Sequence, residues 1–382
     1  DLNMELNEEQ VMIRDTAREY ARERLAPGAG ERDRNATFPS DQLAEMAALG
    51  FLGMLTPASW GGAETGMIAH ALALEEIASG DGAISTIMSV HNGVGQKPIL
   101  DFGSDALKER FLKPLAEGEM LGAFALTEPQ AGSDASAIRT IAKRDGNHFV
   151  LNGTKQFITS GKYADLVVVF AVTDPDAGKK GISAFVVPTN MDGYEVSSIE
   201  KKMGQRSSDT VQITFNDCRL TPDLLLGQEG QGYGIALSNL EGGRIGIAAQ
   251  SVGMARAALE VAVAYAKERV SFGKAIMEHQ AVGHRLADMA TEIEAARLMY
   301  LNAARLREAG QPCLKEASMA KLFASEMAER VCSGAIQTLG GYGYVEDFPL
   351  ERIYRDVRVC QIYEGTSDVQ RMVIARAVAN EN

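Results

Sequence analysis

The stretch best equipped for chemistry is Gln361-Ile-Tyr-Glu-Gly-Thr-Ser-Asp-Val-Gln370. It places a carboxylate, Glu364, after the apolar Ile362 and Tyr363 and before a glycine. Gly365 lets a flat ligand approach the backbone closely. Thr366, Ser367 and Asp368 supply a helix N-cap and donors for a phosphate. A lone glutamate before a loop is equally a solvated surface charge, so the pattern alone leaves both readings open.

Four further stretches share this ambiguity. Phe124-Ala-Leu-Thr-Glu-Pro-Gln-Ala-Gly-Ser-Asp134 offers a hydroxyl at Thr127, a turn at Pro129, a flexible backbone at Gly132 and polar groups at Ser133 and Asp134. Such a loop can aim several backbone N–H groups at a ligand, or it can be a capped turn between domains. Gln156-Phe-Ile-Thr-Ser160 could flank a planar ring, or be an ordinary strand end. Arg269-Val-Ser-Phe-Gly273, with Gln280 beyond, suits a phosphate, or places an arginine at a helix C-terminus. In Gln337-Thr-Leu-Gly-Gly-Tyr-Gly343 the paired glycines cap a helix whether or not they also meet a ligand.

Other chemistries are disfavoured. There is no GxGxxG after a strand, no Walker A loop and no GxSxG elbow. Cys218, Cys313, Cys332 and Cys360 are scattered without CxxC spacing and read as reduced, buried thiols. His279 and His284 are five apart, which does not place them on one helix face, so no metal site is expected. A formal net charge of −13 argues against non-specific nucleic-acid binding. No apolar run is expected to cross a bilayer, and the polar, acidic stretch Asp1–Gln10 is unlike a signal peptide.

The elements that must position these residues fall into three regions over 382 residues. Residues 1–122 read as helices: one capped by Asn7 with Gln10 three residues on and ending near Pro27-Gly28, then Asp41–Leu49 and Gly66–Ala78. Residues 123–229 read as strands at Leu166–Val172, Ile182–Val187 and Val211–Phe215. Asp145-Gly146-Asn147 marks a hairpin and Asn152-Gly153 a second turn. Strands spaced by turns predict an antiparallel sheet or small barrel. Residues 230–382 return to helices: Leu286, Met289, Ile293, Ala296, Tyr300, Ala303 and Leu306 form one apolar stripe, stopped by Gly310 and Pro312. Ser325–Leu339 and Asp368–Ala379 read similarly.

FALTEPQAGSD, QFITSG, RVSFGK, QTLGGYGY and QIYEGTSDVQ occur in this order along the whole chain, and together they resemble the acyl-CoA dehydrogenase family. The resemblance implies an N-terminal helical domain, a middle antiparallel β-barrel-like domain and a C-terminal four-helix bundle. It implies FAD, lined by Phe124, Leu126, Thr127, Gly132 and Ser133 and by Phe157, Ile158 and Thr159. Thr366, Ser367 and Asp368 contact the cofactor again. Arg269, Phe272, Gln280, Gln337, Leu339, Gly340 and Gly341 reach it across a subunit interface, which implies a homotetramer. Ser133, Glu241, Arg244, Tyr363 and Gly365 face the acyl-CoA.

The implied reaction removes the α-proton to Glu364 and the β-hydride to the flavin, giving a trans-2-enoyl-CoA. Electrons then pass to an electron-transfer flavoprotein. Isovaleryl-type members carry the base at the position matching Gly243, so glutamate at 364 takes that role here. The RIGIAAQ run from Arg244 and the NAARLREAG run from Asn302 resemble members acting on short or short-branched chains. The rivals are an oxygen-using acyl-CoA oxidase, a reductase running the reaction backwards and a catalytically silent CoA-binding scaffold. A bacterial cytoplasm is expected, with a mature mitochondrial matrix protein as the alternative.

Overall fold

The computed structural model describes residues 5–381; residues 1–4 of the acidic opening stretch and Asn382 lie outside them. Asn7 caps α1 (Glu8–Tyr20) reciprocally: its Oδ1 accepts from the Gln10 N–H at 2.8 Å, and the Gln10 side chain accepts from the Asn7 N–H at 3.0 Å. The expected stop at Pro27-Gly28 does not occur. The chain passes through a π turn at Ala21–Leu25 and a 3-10 turn at Ala26–Gly28 into α2 (Ala29–Asn35). Pro27 falls in the first turn of its segment, where its missing N–H leaves little unsatisfied.

Then come α3 (Ser40–Ala48), α4 (Met67–Gly80) and α5 (Gly82–Asn92), followed by three short helices: α6 (Lys97–Phe102), α7 (Asp105–Leu107) and α8 (Lys113–Glu117). Helix α4 is buried on almost every side, yet carries Glu75 and Glu76. Buried carboxylates need partners. Arg18 and Arg256 hold Glu76, while Arg297 and the Tyr300 hydroxyl hold Glu75. These bonds tie α4 to α1 and to two long C-terminal helices.

The middle region comprises β1 (Gly122–Ala125), β2 (Ile141–Asp145), β3 (His148–Thr159), β4 (Leu166–Val172), β5 (Ile182–Pro188), β6 (Tyr194–Ile199), β7 (Thr210–Leu220) and β8 (Leu225–Leu226). The order is β6-β7-β3-β2-β4-β5-β8, with β1 beside β4. Pairing is antiparallel except where β1 and β2 meet β4 in parallel. Leu166 to Ala171 of β4 are all fully buried, which explains their unbroken apolar run. Asp145-Gly146-Asn147 turns β2 into β3 as the pattern predicts. Asn152-Gly153 is not a turn. Strand β3 runs through it, and its register against β7 shifts there. A Cβ at Gly153 would lie 2.4 Å from Thr140 Oγ1, so close approach of a neighbouring segment requires the glycine.

His91 joins this sheet to the helices before it. Its Nδ1 accepts from the Gly122 N–H at 3.1 Å, which leaves Nε2 to donate to the Leu115 carbonyl at 2.8 Å. Burial holds this imidazole neutral, with its pKa lowered to about 4.

The C-terminal part contains α9 (Gly232–Leu237), α10 (Leu240–Glu268), the two-residue strands β9 (Val270–Ser271) and β10 (Lys274–Ala275), α11 (Gln280–Glu308), α12 (Leu314–Leu339), α13 (Gly341–Tyr344), α14 (Leu350–Val357) and α15 (Ser367–Ala379). Helices α10, α11, α12 and α15 form the bundle. The expected stripe on α11 is buried from Leu286 to Ala303, with Leu306 packed at its margin. Buried alanines such as Ala248, Ala255 and Ala262 on α10, and Ala317, Ala324 and Ala328 on α12, allow close approach of these helices. One expectation needs correction. The helical run 232–268 is long and apolar enough to cross a membrane by length and composition. Here it packs against α4, α11 and α12 as the central bundle helix, which accounts for its apolar character.

Candidate active site

Glu364 lies just ahead of α15 with φ of 57°, followed by Gly365 at 89°. A non-glycine residue in this left-handed region is uncommon and costs of order 1 kcal/mol or more. Phe157 (57°) and Phe272 (55°), also site candidates, share this conformation. The Glu364 side chain borders a narrow pocket with Leu55, His70, Ser89, Val94, Asn239 and Gly243. A Cβ at Gly243 would lie 2.8 Å from Glu364 Oε2. The two base positions distinguished in the sequence therefore converge in space, and glycine at one makes room for glutamate at the other. Glu241 does not face this pocket. Its carboxylate accepts from Arg307 at 2.9 Å and from the Cys313 N–H at 3.1 Å, so it secures the start of α12 instead of meeting substrate.

Burial pushes the Glu364 carboxyl above the ordinary carboxylate range, and the positive charges of Lys321 and Arg244 oppose that shift. Arg244 is buried and donates to Ser318 Oγ at 2.9 Å. It thus lies within the bundle beside the Glu364-Gly365 turn. The Glu364 backbone N–H has no acceptor among the described residues, so it remains free to donate to a ligand oxygen. Gly365 permits less ligand approach than its type suggests, since a Cβ there would meet Gln370 Nε2 at 2.7 Å.

Tyr363 carries its hydroxyl into a buried polar group. It donates to Gln250 Oε1, and Thr86 and Gln205 lie 3.4 Å from it. Gln205 in turn donates its backbone N–H to Asp356 at 2.6 Å. Complete burial raises the Asp356 pKa to about 7. The same loop connects to the β-region: Lys202 Nζ donates to the carbonyls of Gln205 and Ser208, and Ser160 donates its N–H to the Asp209 carbonyl at 3.1 Å. Phe157–Ser160 and Tyr363-Glu364 are thereby brought to one region.

There the loop after β1 is locked from below. Glu128 accepts from the N–H groups of Arg139 and Thr140 and from Lys155 Nζ at 2.8 Å. Lys155 also donates to the Leu126 carbonyl, and the Thr127 carbonyl accepts from the Gln156 N–H. Burial works against Glu128 ionisation, but Lys155 and the two N–H groups hold its carboxyl well below the usual range.

These residues fit a flavin. Phe157 is 63% exposed although it sits between buried neighbours. Gly132 has open space where a side chain would stand. Ser160 Oγ and Ser367 Oγ are buried without a protein partner. Thr127 and Thr159 are half-buried beside them, and Thr366 caps α15. Phe124 is half-buried and packs edge-on to Phe170, while Gly132, Ser133 and Asp368 are exposed. Ile158 and Leu339 are different: their side chains are 2% and 3% exposed in the two cores, leaving only backbone for a ligand.

The remaining candidates form a second cluster. Arg269 ends α10 and lies 5.9 Å over the Tyr342 ring. Phe272, at the tip between β9 and β10, is 94% exposed. Gln280 opens α11, and Gln337 lines an open groove with Arg285, Arg330 and Gln361. Gly340 and Gly341 have no neighbour where a Cβ would stand. Arg244 and Arg269 are separated by 25 residues of α10, or roughly 38 Å at 1.5 Å per residue. The Arg269 end of the cluster therefore lies far from this protomer's Glu364, whereas Gln337 shares its groove with Gln361, close in the chain to the base.

Sequence reasoning missed His70, Lys321 and the Glu128–Lys155 pair. Only Lys321 left a signal: it falls on the buried stripe of α12 with Ala317, Ala324 and Ala328.

Comparison with known proteins points the same way. Models of the acyl-CoA dehydrogenase N-terminal, middle and C-terminal domains match residues 7–119, 123–218 and 230–379. The mitochondrial short-chain specific acyl-CoA dehydrogenase of Homo sapiens is 46% identical, over 98% of this chain and 90% of that protein. Butyryl-CoA dehydrogenase from Megasphaera elsdenii superposes with a TM-score of 0.96 at 41% identity, covering 98% of this chain and 99% of the other. A chain in the structure of the electron transferring flavoprotein of Acidaminococcus fermentans gives 0.97 at 45% identity, covering 100% of both. The chain belongs to the acyl-CoA dehydrogenase family, as an FAD-dependent oxidoreductase of acyl-CoA thioesters.

Proposed function

We propose that this enzyme desaturates a short or short-branched acyl-CoA at its α,β-bond, with Glu364 as the base. The observation that carries the reading is the placement of the Glu364 carboxylate over a narrow pocket, beside the glycine that makes room for it. An α-proton beside a thioester is far less acidic than a carboxylic acid, so transition-state charge must be stabilised. The free Glu364 N–H is placed to donate to the thioester oxygen. A donor of this kind is worth about 3–4 kcal/mol in comparable sites. The carboxylate, made more basic by burial, takes the α-proton.

Thr127, Thr159, Phe157 and Ser133 would hold the cofactor from the β-region, and Thr366, Ser367 and Asp368 would hold it from the start of α15. The bound flavin would supply the acceptor for the β-hydride. The pocket beside Glu364, lined by Leu55, His70, Ser89 and Val94, would take the acyl group and keep water from the reacting carbon, with Tyr363 and Gly365 holding the turn that carries the base. Short acyl length is supported by the short-chain and butyryl relatives. The family and the flavoprotein neighbour support an electron-transfer flavoprotein as oxidant.

The geometry of α10 supports an oligomer, with Arg269, Phe272, Gln280 and the 337–341 turn of one subunit serving a neighbour. A tetramer is the reading that fits the family. Four buried free cysteines suit a reducing setting, a bacterial cytoplasm or a mitochondrial matrix.

Anaerobic titration with butyryl-CoA, followed in the visible spectrum, tests the substrate. Bleaching of the flavin band is expected. A flavin that stays oxidised under butyryl-CoA but bleaches with longer or branched thioesters overturns the short-chain assignment.

A further inference from the structure

Buried cations in this molecule have carboxylate partners: Lys155 has Glu128, Arg32 has Asp81 and Arg352 has Asp356. Lys321 and Arg244 are exceptions. Lys321 is fully buried and Arg244 is 3% exposed. Neither is among the ion pairs within 4 Å of the described residues. An unpaired buried charge is costly, so some other interaction must justify keeping it. Both cations act on Glu364 electrostatically.

The contact that Lys321 does make is specific. Its Nζ lies 2.6 Å from the Gly365 carbonyl oxygen, to which it donates. Gln370 Nε2 donates to the same oxygen at 2.9 Å and to the Glu364 carbonyl at 3.3 Å. These bonds grip the two residues whose backbones are in the left-handed region.

We infer that Lys321 is a positioning residue for the base: its ammonium holds the Gly365 carbonyl, fixing the turn that aims the Glu364 carboxylate and N–H into one pocket. Its charge has a second effect, because a cation nearby favours the ionised carboxylate and offsets part of what burial does. The groups facing this arrangement are Arg244 from α10, Ser318 from α12, Gln370 from α15, Cys360 from the turn before Glu364, and His70 across the pocket. The inference rests on Glu364 being the base.

The test uses the FAD-loaded enzyme with Lys321→Met, Lys321→Gln and Lys321→Arg variants, and Glu364→Gln as control. Flavin bleaching by butyryl-CoA is followed by stopped flow across pH. Losing a charged donor to the turn should slow the Met variant about 10–100-fold. The acid limb of Met and Gln should move upward by about one pH unit, and Arg, which keeps charge and donor, should restore the wild-type limb. A flavin-loaded Met or Gln variant with the wild-type rate and limb overturns the inference. Loss of FAD from all three variants, Arg included, also overturns it by assigning Lys321 to folding alone. If Glu364→Gln stays active, the base assignment has failed instead, whatever the lysine variants do.

Discussion

Two segments meet at the candidate site, and they are built on opposite terms. The loop after β1, around Thr127, rests on Glu128, whose carboxylate accepts from Lys155 and two backbone N–H groups. The Glu364 turn rests on strained backbone and on cations without ion-pair partners, with Arg244 Nε and Gln370 Oε1 buried and unbonded. A satisfied network makes a rigid platform. A strained, incompletely satisfied one leaves groups available to a ligand. The difference separates holding a cofactor from acting on a substrate.

That contrast can be broken most severely at the base. Glu364→Gln should reduce the rate of flavin bleaching by about 10²–10⁴ while FAD stays bound, measured by stopped flow. The wild-type pH profile sharpens the point. Burial raises the Glu364 pKa, so activity should fall as pH drops through a value above the ordinary carboxylate range. Stability takes the opposite sign: a carboxyl with a raised folded pKa disfavours the folded state once pH exceeds its unfolded pKa, so this contribution worsens as pH rises while activity improves.

On the platform side, Glu128→Gln strands the fully buried Lys155. Removing one partner of a buried pair costs about 3–5 kcal/mol, and denaturant unfolding should show that loss. Preserved stability would mean the platform is not held by this pair.

A smaller effect is expected from Gly243→Ala. The added methyl contacts the carboxylate, and displacing a reacting group slightly should cost on the order of 10-fold in rate with FAD retained. The smallest effect concerns Phe272→Ala. Its 94% exposure predicts a change in protomer stability within about 0.5 kcal/mol. Sedimentation should nevertheless show weakened assembly if this tip reaches a neighbouring subunit.

Much of the architecture was legible because it depends on local pattern. The α11 stripe, the capping box at Asn7 and the Asp145–Asn147 hairpin each follow from residues within a few positions of one another. The misreadings arose where a distant segment decided. Gly153 looks like a turn residue but is required by Thr140 lying against it. Pro27-Gly28 looks like a stop, yet the chain continues because proline is tolerated at a helix start. The site divides similarly. The stretch around Glu364 announced itself through its own residues. Lys321 and the Glu128–Lys155 pair did not, since their partners lie 44 and 27 residues away. Glu241 misled for the same reason: its partner, Arg307, is 66 residues downstream.

The positive φ of Glu364 also bears on how this chain can change over time. Glycine accepts that conformation without strain, and asparagine tolerates it better than glutamate does. Replacing the base with either should relax the backbone and remove a buried ionisable group. The most active residue at position 364 is therefore among the least stable there, and selection for robustness alone would drift toward a well-folded but inert protein.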